Sequence, residues 1–206
     1  MKKGLGLVFL FFCGVILLNY LVLLINSFHF PSLFATTTSN PTAYDGLPYV
    51  DVNFFSPDGN GKSYITQGYG VTPYAYLYVN HWHDGIDVAA NYGEKIYSPV
   101  DGTVFATGDQ DNYCYHLGFG KYVAVKDDAK DTVFWYAHLG TIAVSPGMKI
   151  KKGAAIGTVG ATGYEFGVHL HLSIFDENGF SMQNRNGCGP DPTGKDIDPI
   201  PFLKTL

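Results

Sequence analysis

Apolar positions follow two different patterns along the chain. Residues 4–25, GLGLVFLFFCGVILLNYLVLLI, form a run without a charge in which only Asn19 and Tyr20 are noticeably polar. At about 1.5 Å per residue, a helix of that length covers roughly 33 Å, enough to cross a bilayer core. Beyond residue 62 the apolar positions come instead in short runs, several of them alternating with the period of a half-buried strand. They predict strands at Lys95–Ser98, Thr103–Ala106, Lys121–Val125, Thr132–Leu139, Ala154–Val159 and His169–Phe175. The spacers, among them DG, GDQD, DDAKD, SPG and NG, carry the chemistry of hairpins and tight turns. No stretch after the apolar run keeps a 3.6-residue period over ten residues, and no repeat recurs at solenoid spacing. A mostly antiparallel β domain is expected.

Residues 31–62 hold PSLFATTTSNPT and scattered Asp, Gly and Pro. They read as a linker and a first strand or two near Tyr49–Phe55, with the β domain over residues 63–206. Lys2 and Lys3 precede the apolar run and no basic cluster follows it, which leaves the N-terminus in the cytoplasm and exports the rest. A cleaved signal peptide would have an apolar region of about 7–15 residues ending at a small-x-small site. This run is longer, and Asn26–Pro31 offers no such site. Residues 1–30 are therefore expected to be a cytoplasmic stub and a single-pass transmembrane anchor in the cell membrane, with an extracytoplasmic domain behind it.

Composition narrows the partners. With 25 Gly, 11 Pro and 16% aromatics, the chain suits a turn-rich β domain. Its net charge is −5, and every acidic residue lies beyond the apolar run, which argues against nucleic acid as a partner. Recognition has to come from a shaped groove. Pro99–Val104 and Gly147–Gly153 form a weak internal echo, like hairpin elements of a duplicated β barrel. Met148-Lys149-Ile150 superficially resembles the modified lysine site of a carrier domain, but export disfavours that, and a surface lysine on a strand is the better account.

The histidines carry the chemistry. His83 and Asp87 are four apart, so they share a face in an extended segment and also on a helix. His169 and His171 leave one strand on the same side, and His138 lies on another strand, where alternation puts it on the face of Phe134 and Tyr136. A catalytic zinc takes three His or carboxylate ligands and keeps a fourth position for water or substrate. His83, Asp87 and one of His169 and His171 would supply them. The remaining member of that pair and His138 would be imidazoles beside the metal, suited to moving a proton or steadying an oxyanion. Each signal alone is weak; together, on one small β domain, they are specific.

The motifs His83-Asp84-Gly85-Ile86-Asp87-Val88-Ala89, Tyr97–Val104, Trp135-Tyr136-Ala137-His138-Leu139, Gly160-Ala161-Thr162-Gly163 and Gly167–Leu172 occur in order, and Asp198–Leu203 closes the chain. The sequence resembles the lysostaphin-type zinc endopeptidases, which have a duplicated hybrid-motif β fold and cut peptide bonds in peptidoglycan. The resemblance covers about residues 63–204. It implies Zn2+ held by His83, Asp87 and His171, with His169 and His138 as catalytic histidines, and peptidoglycan as substrate. The alternative is a non-catalytic wall-binding or amidase-activator module on the same fold, which the intact ligand set disfavours. Tyr76 and Tyr78 are candidates for a donor near the oxyanion, His81 reads as a groove or surface residue, and His116 as a solvent-facing loop residue. Asn40 and Asn53 are candidates to reach the metal from the linker. Cys114 and Cys188, the only cysteines outside the apolar run, are able to pair in an oxidising exterior. The bond would tie the insertion Asp109–Gly120 to the loop Gly179–Gly194 and contribute on the order of 4 kcal/mol.

Overall fold

The computed structural model describes residues 47–206 except 79, 185 and 186. Among the described residues no helix is long and apolar enough to cross a membrane; the span expected at residues 4–25 lies outside them, as does Asn40.

Every strand read from alternation is present: β4 (Lys95–Tyr97), β5 (Gly102–Asp109), β6 (Lys121–Asp127), β7 (Thr132–Ile142), β9 (Ala155–Val159) and β10 (His169–Asp176). The sequence left others unassigned as strands, because they are short or interrupted by glycine. These are β2 (Ser63–Gln67), β3 (Gly85–Ala89), β11 (Ser181–Asn184), β12 (Pro190–Thr193) and β13 (Asp196–Ile197). With β1 (Tyr49–Val50) and β8 (Lys149–Ile150), the main sheet runs in the order β1-β2-β3-β10-β7-β6-β5-β8, and its paired strands are antiparallel. β13 pairs with β10, and β9 joins β4 to β7. The stretch read as a glycine-rich loop is a separate hairpin, β11–β12.

Alternation sorts side chains onto two faces of the central strands. Leu170, Leu172 and Ile174 of β10 join Phe134, Tyr136 and Leu139 of β7 in the larger core. The opposite face of β7 presents Val133, Trp135 and Ala137, packed with Tyr122 and Phe175 in a second cluster. Each fully buried Leu, Ile or Phe here contributes roughly 1.5–3 kcal/mol. Val50, Val52 and Phe54 belong to the larger core as well. The two echo segments lie side by side: Thr103 pairs with Lys149, Gly102 with Ile150, and Lys151 bonds Asp101. Lys149 is a strand residue whose ammonium faces Asp128 at 3.1 Å.

The helix α1 (Pro199–Leu203) ends the domain. Asp198 caps it by accepting from the Ile200 amide, and Pro199 fills the first turn, where no donor is needed. Cys114 and Cys188 are bonded, tying the segment between β5 and β6 to the start of β12.

Candidate metal centre and active site

Strand pairing assembles the site. In β3, Ile86 and Val88 enter the core, so Asp87 points to the other face. β10 pairs with β3 so that His171 lies opposite Asp87, and with β7 so that it also lies opposite Ala137. Gly85 permits this approach, since a Cβ there would sit 2.4 Å from the Leu172 carbonyl oxygen. His83 precedes β3 in extended chain, fixed by paired backbone hydrogen bonds with Gly70. His83, Asp87 and His171 are all buried, at 2%, 6% and 3% exposure.

Three atoms converge. His83 Nε2 is 3.1 Å from His171 Nδ1, His171 Nδ1 is 3.1 Å from Asp87 Oδ1, and His83 Nε2 is 3.3 Å from the same oxygen. Ligands bound at about 2.0 Å around a tetrahedral zinc lie roughly 3.3 Å apart. The protons are arranged to match. His83 Nδ1 faces the Gly68 carbonyl at 2.8 Å, which assigns its proton there and turns the Nε2 lone pair inward. His171 Nε2 faces Ser173 Oγ at 2.8 Å and Asp84 at 3.5 Å, which turns Nδ1 inward. Two imidazole lone pairs and a carboxylate oxygen thus meet at one point, an arrangement that only a cation or a proton satisfies. The donor set therefore fits a zinc ion with three protein ligands and an open position.

The same field sets the protonation of the metal-free site. Burial would lower His171, but its hydrogen bonds to Asp84 and Asp87 outweigh that and hold it up at about 9. Burial would raise Asp87, yet the surrounding histidines keep it well below the usual carboxylate range. Tyr78 stacks on the His83 ring with centroids 5.4 Å apart, and burial and Asp87 push its hydroxyl up to about 12. Of the two tyrosine candidates it is the one at the site; Tyr76 is 67% exposed. His81 is exposed, and Asn53 accepts from the Phe55 amide within its own turn.

His169 and His138 flank the cluster, with ring centroids 4.9 Å apart. His169 Nδ1 bonds the Gly167 carbonyl at 2.6 Å, and Nε2 lies 3.4 Å from Asp87 Oδ1. His138 Nδ1 bonds the Thr162 carbonyl at 2.7 Å, and its ring is 5.8 Å from that of His171. Burial, then the neighbouring histidines, lowers His138 to about 3, so it is neutral. For His169, burial acts downward but Asp87 prevails and raises it.

One expectation needs correction. Simple alternation put His138 with Phe134 and Tyr136, but Leu139 occupies that face and His138 turns to the other. The cause is an irregularity in β7, whose register slips against β6 beyond Tyr136 and against β9 after Leu139. His138 takes a left-handed conformation there, at φ 59°. An extra residue of this kind re-aims a side chain.

The carbonyls of Gly68, Thr162 and Gly167 escaped the sequence reading because backbone acceptors leave no side-chain signal. Ser173 was in principle visible, two residues beyond His171 on the same strand face.

Known proteins resemble this chain in sequence and in fold. The chain is 31% identical over 139 residues to the glycyl-glycine endopeptidase ALE-1 of Staphylococcus capitis, covering 68% of this chain but 34% of that relative's length. Among solved structures, LytU superposes with a TM-score of 0.54 at 28% identity, covering 70% of this chain and 86% of that one. The catalytic domain of lysostaphin from Staphylococcus simulans superposes at 0.53 and 28%, covering 68% and 92%. Residues 81–184, which hold all five site residues, match peptidase family M23. The chain belongs to peptidase family M23, in its lysostaphin type.

Proposed function

We propose that the protein is a zinc-dependent endopeptidase that hydrolyses peptide bonds in peptidoglycan stems or cross-bridges. Residues 4–25 hold it in the cell membrane with the site facing the wall. The observation that carries this reading is the convergence of two inward-turned imidazole lone pairs and one carboxylate oxygen within 3.3 Å. His83, Asp87 and His171 would hold the zinc, which when bound supplies Lewis acidity to the scissile carbonyl and to water. His138 and His169 each have Nδ1 committed to a carbonyl, so each presents Nε2 to the site. One Nε2, on a neutral ring, takes the proton of the attacking water, and the proton passes on to the leaving nitrogen; the other, on a ring protonated at both nitrogens, donates to the oxygen that gains charge. A relative named as a glycyl-glycine endopeptidase supports a peptide bond as the target. The direct test digests purified peptidoglycan with the zinc-loaded full chain and reads the fragments by mass spectrometry. New amine and carboxyl ends, absent with His171→Ala or after chelation, are expected. An undigested wall with zinc bound one to one would overturn the reading in favour of a non-catalytic module.

A further inference from the structure

Gln110 is a neutral polar residue that is wholly buried, at 0% exposure, in the segment between β5 and β6. Both amide hydrogens and the carbonyl oxygen of its carboxamide are engaged. Nε2 donates to the Pro190 carbonyl and to Asp191 Oδ1, both at 2.7 Å, and Oε1 accepts from the Phe119 amide at 2.5 Å. Its backbone is equally engaged: the amide donates to Gly120, and the carbonyl accepts from Tyr113 and Cys114. The side chain packs so closely over Gly118 that a Cβ there would meet Oε1 at 2.2 Å.

What Gln110 fixes is Phe119, and Phe119 touches the site twice. Its carbonyl accepts from the His138 amide at 3.0 Å, at the residue held at φ 59°. Its ring lies 5.4 Å from that of His171. The insertion also grips the loop whose Thr162 carbonyl orients the His138 ring. Lys121 N donates to Thr162 Oγ1, Gly163 N to Asp111 Oδ2 and Tyr164 N to the Gly118 carbonyl, while His116 Nδ1 bonds the Gly163 carbonyl. A left-handed non-glycine residue is strained and persists only where its surroundings enforce it. Here one strand of that enforcement runs from the His138 amide through Phe119 to the buried Gln110 carboxamide.

We propose that Gln110 is a positioning residue: its carboxamide locks Phe119 against the β12 segment and thereby holds the backbone and ring of His138 in the attitude that faces the metal centre. The inference rests on the proposed hydrolytic function for its kinetic consequence, but the positioning itself is measurable without turnover. A displacement of about 1 Å at a reacting group can lower the rate by around a hundredfold.

The test compares zinc-loaded, full-length wild type with Gln110→Met, which keeps the volume and removes all three carboxamide bonds. Where the methionine variant does not fold, Gln110→Asn keeps an amide that is one methylene too short. Val50→Ala, a core change remote from this network, controls for lost stability alone. The readouts are zinc stoichiometry, the His138 Nδ1–H resonance by NMR, and kcat and KM on purified peptidoglycan. Gln110→Met is expected to bind one zinc, to shift or broaden the His138 resonance, and to lose kcat about ten- to a hundredfold with KM within about twofold. Val50→Ala is expected to leave the resonance and kcat in place. A folded Gln110 variant with an unchanged His138 resonance and wild-type kcat overturns the proposal, and so does a loss that only follows lost zinc. Wild type that binds zinc, shows the resonance and releases no peptide ends overturns the hydrolase reading instead, and the resonance in the variant then decides the positioning by itself.

Discussion

His171 and His138 lie on neighbouring strands and face one site, yet they reach it by opposite means. His171 sits at a regular position of β10, opposite Asp87 on one side and Ala137 on the other. Its direction follows from the pleat, and its partners Ser173 and Asp84 only select the tautomer. His138 sits where β7 leaves its register, in a left-handed conformation, with amide and ring each held by a loop carbonyl. The half of the site proposed to bind the metal is thus built from the sheet itself. The half proposed to move protons is built from a distortion of the sheet, beside an insertion that bonds it.

The largest effects should fall along that division. His171→Ala removes one of three converging donors and leaves only His83 and Asp87 of that set. Zinc measured by atomic absorption after dialysis should be lost, together with all detectable release of peptide ends. His138→Ala should keep zinc one to one while kcat drops by about 10²–10⁴-fold, the usual worth of a positioned acid or base. Loss of zinc from the His138 variant, or retention of both zinc and activity by the His171 variant, would contradict the split.

The same division governs what could be read from the sequence. His83, Asp87 and the His169/His171 pair stand at even spacings in extended chain, and even spacing means a shared face wherever the pleat is regular. Residue pattern alone did not choose between His169 and His171; the family resemblance did, and the register of β10 against β3 sets His171 opposite Asp87. His138 was found by its type and its neighbours but put on the wrong face, because a period of two has no way to announce an extra residue. Glycine-broken or very short strands such as β3, β11 and β13 give too few alternations to stand out. Gln110 left no signal at all. It is a polar residue among Asp and Asn in a predicted loop, and only its burial reveals it.

The disulfide sharpens the comparison on the stability side. Cys114–Cys188 closes a 74-residue separation and anchors the insertion, which supports His138 and contributes no ligand. Cys114→Ser with Cys188→Ser should lower stability by about 2–4 kcal/mol in urea unfolding. Hydrogen exchange should rise first in residues 110–120, with Leu170 and Leu172 of β10 still protected. Zinc affinity should change less than kcat. Equal acceleration of exchange in β10 would mean that the bond supports the whole sheet and not the insertion.

The smallest effect is the most pointed, because it turns on backbone alone. Alanine and glycine both delete the imidazole, so the difference between them at one position reports the conformation that the chain must adopt there. At position 138 the backbone is left-handed, where a Cβ is penalised by roughly 1–2 kcal/mol and glycine is not. Against that, glycine costs more conformational entropy on folding, about 0.5–1 kcal/mol. His138→Gly should therefore equal or exceed His138→Ala in stability, by up to about 1.5 kcal/mol. At position 171, in regular strand, only the entropic cost remains, so His171→Gly should fall below His171→Ala by about 0.5–1 kcal/mol. Urea melts of the four metal-free variants give both differences directly. If alanine wins at both positions by the same margin, the bend at His138 carries no strain, and the insertion holds nothing that the strand would not hold unaided.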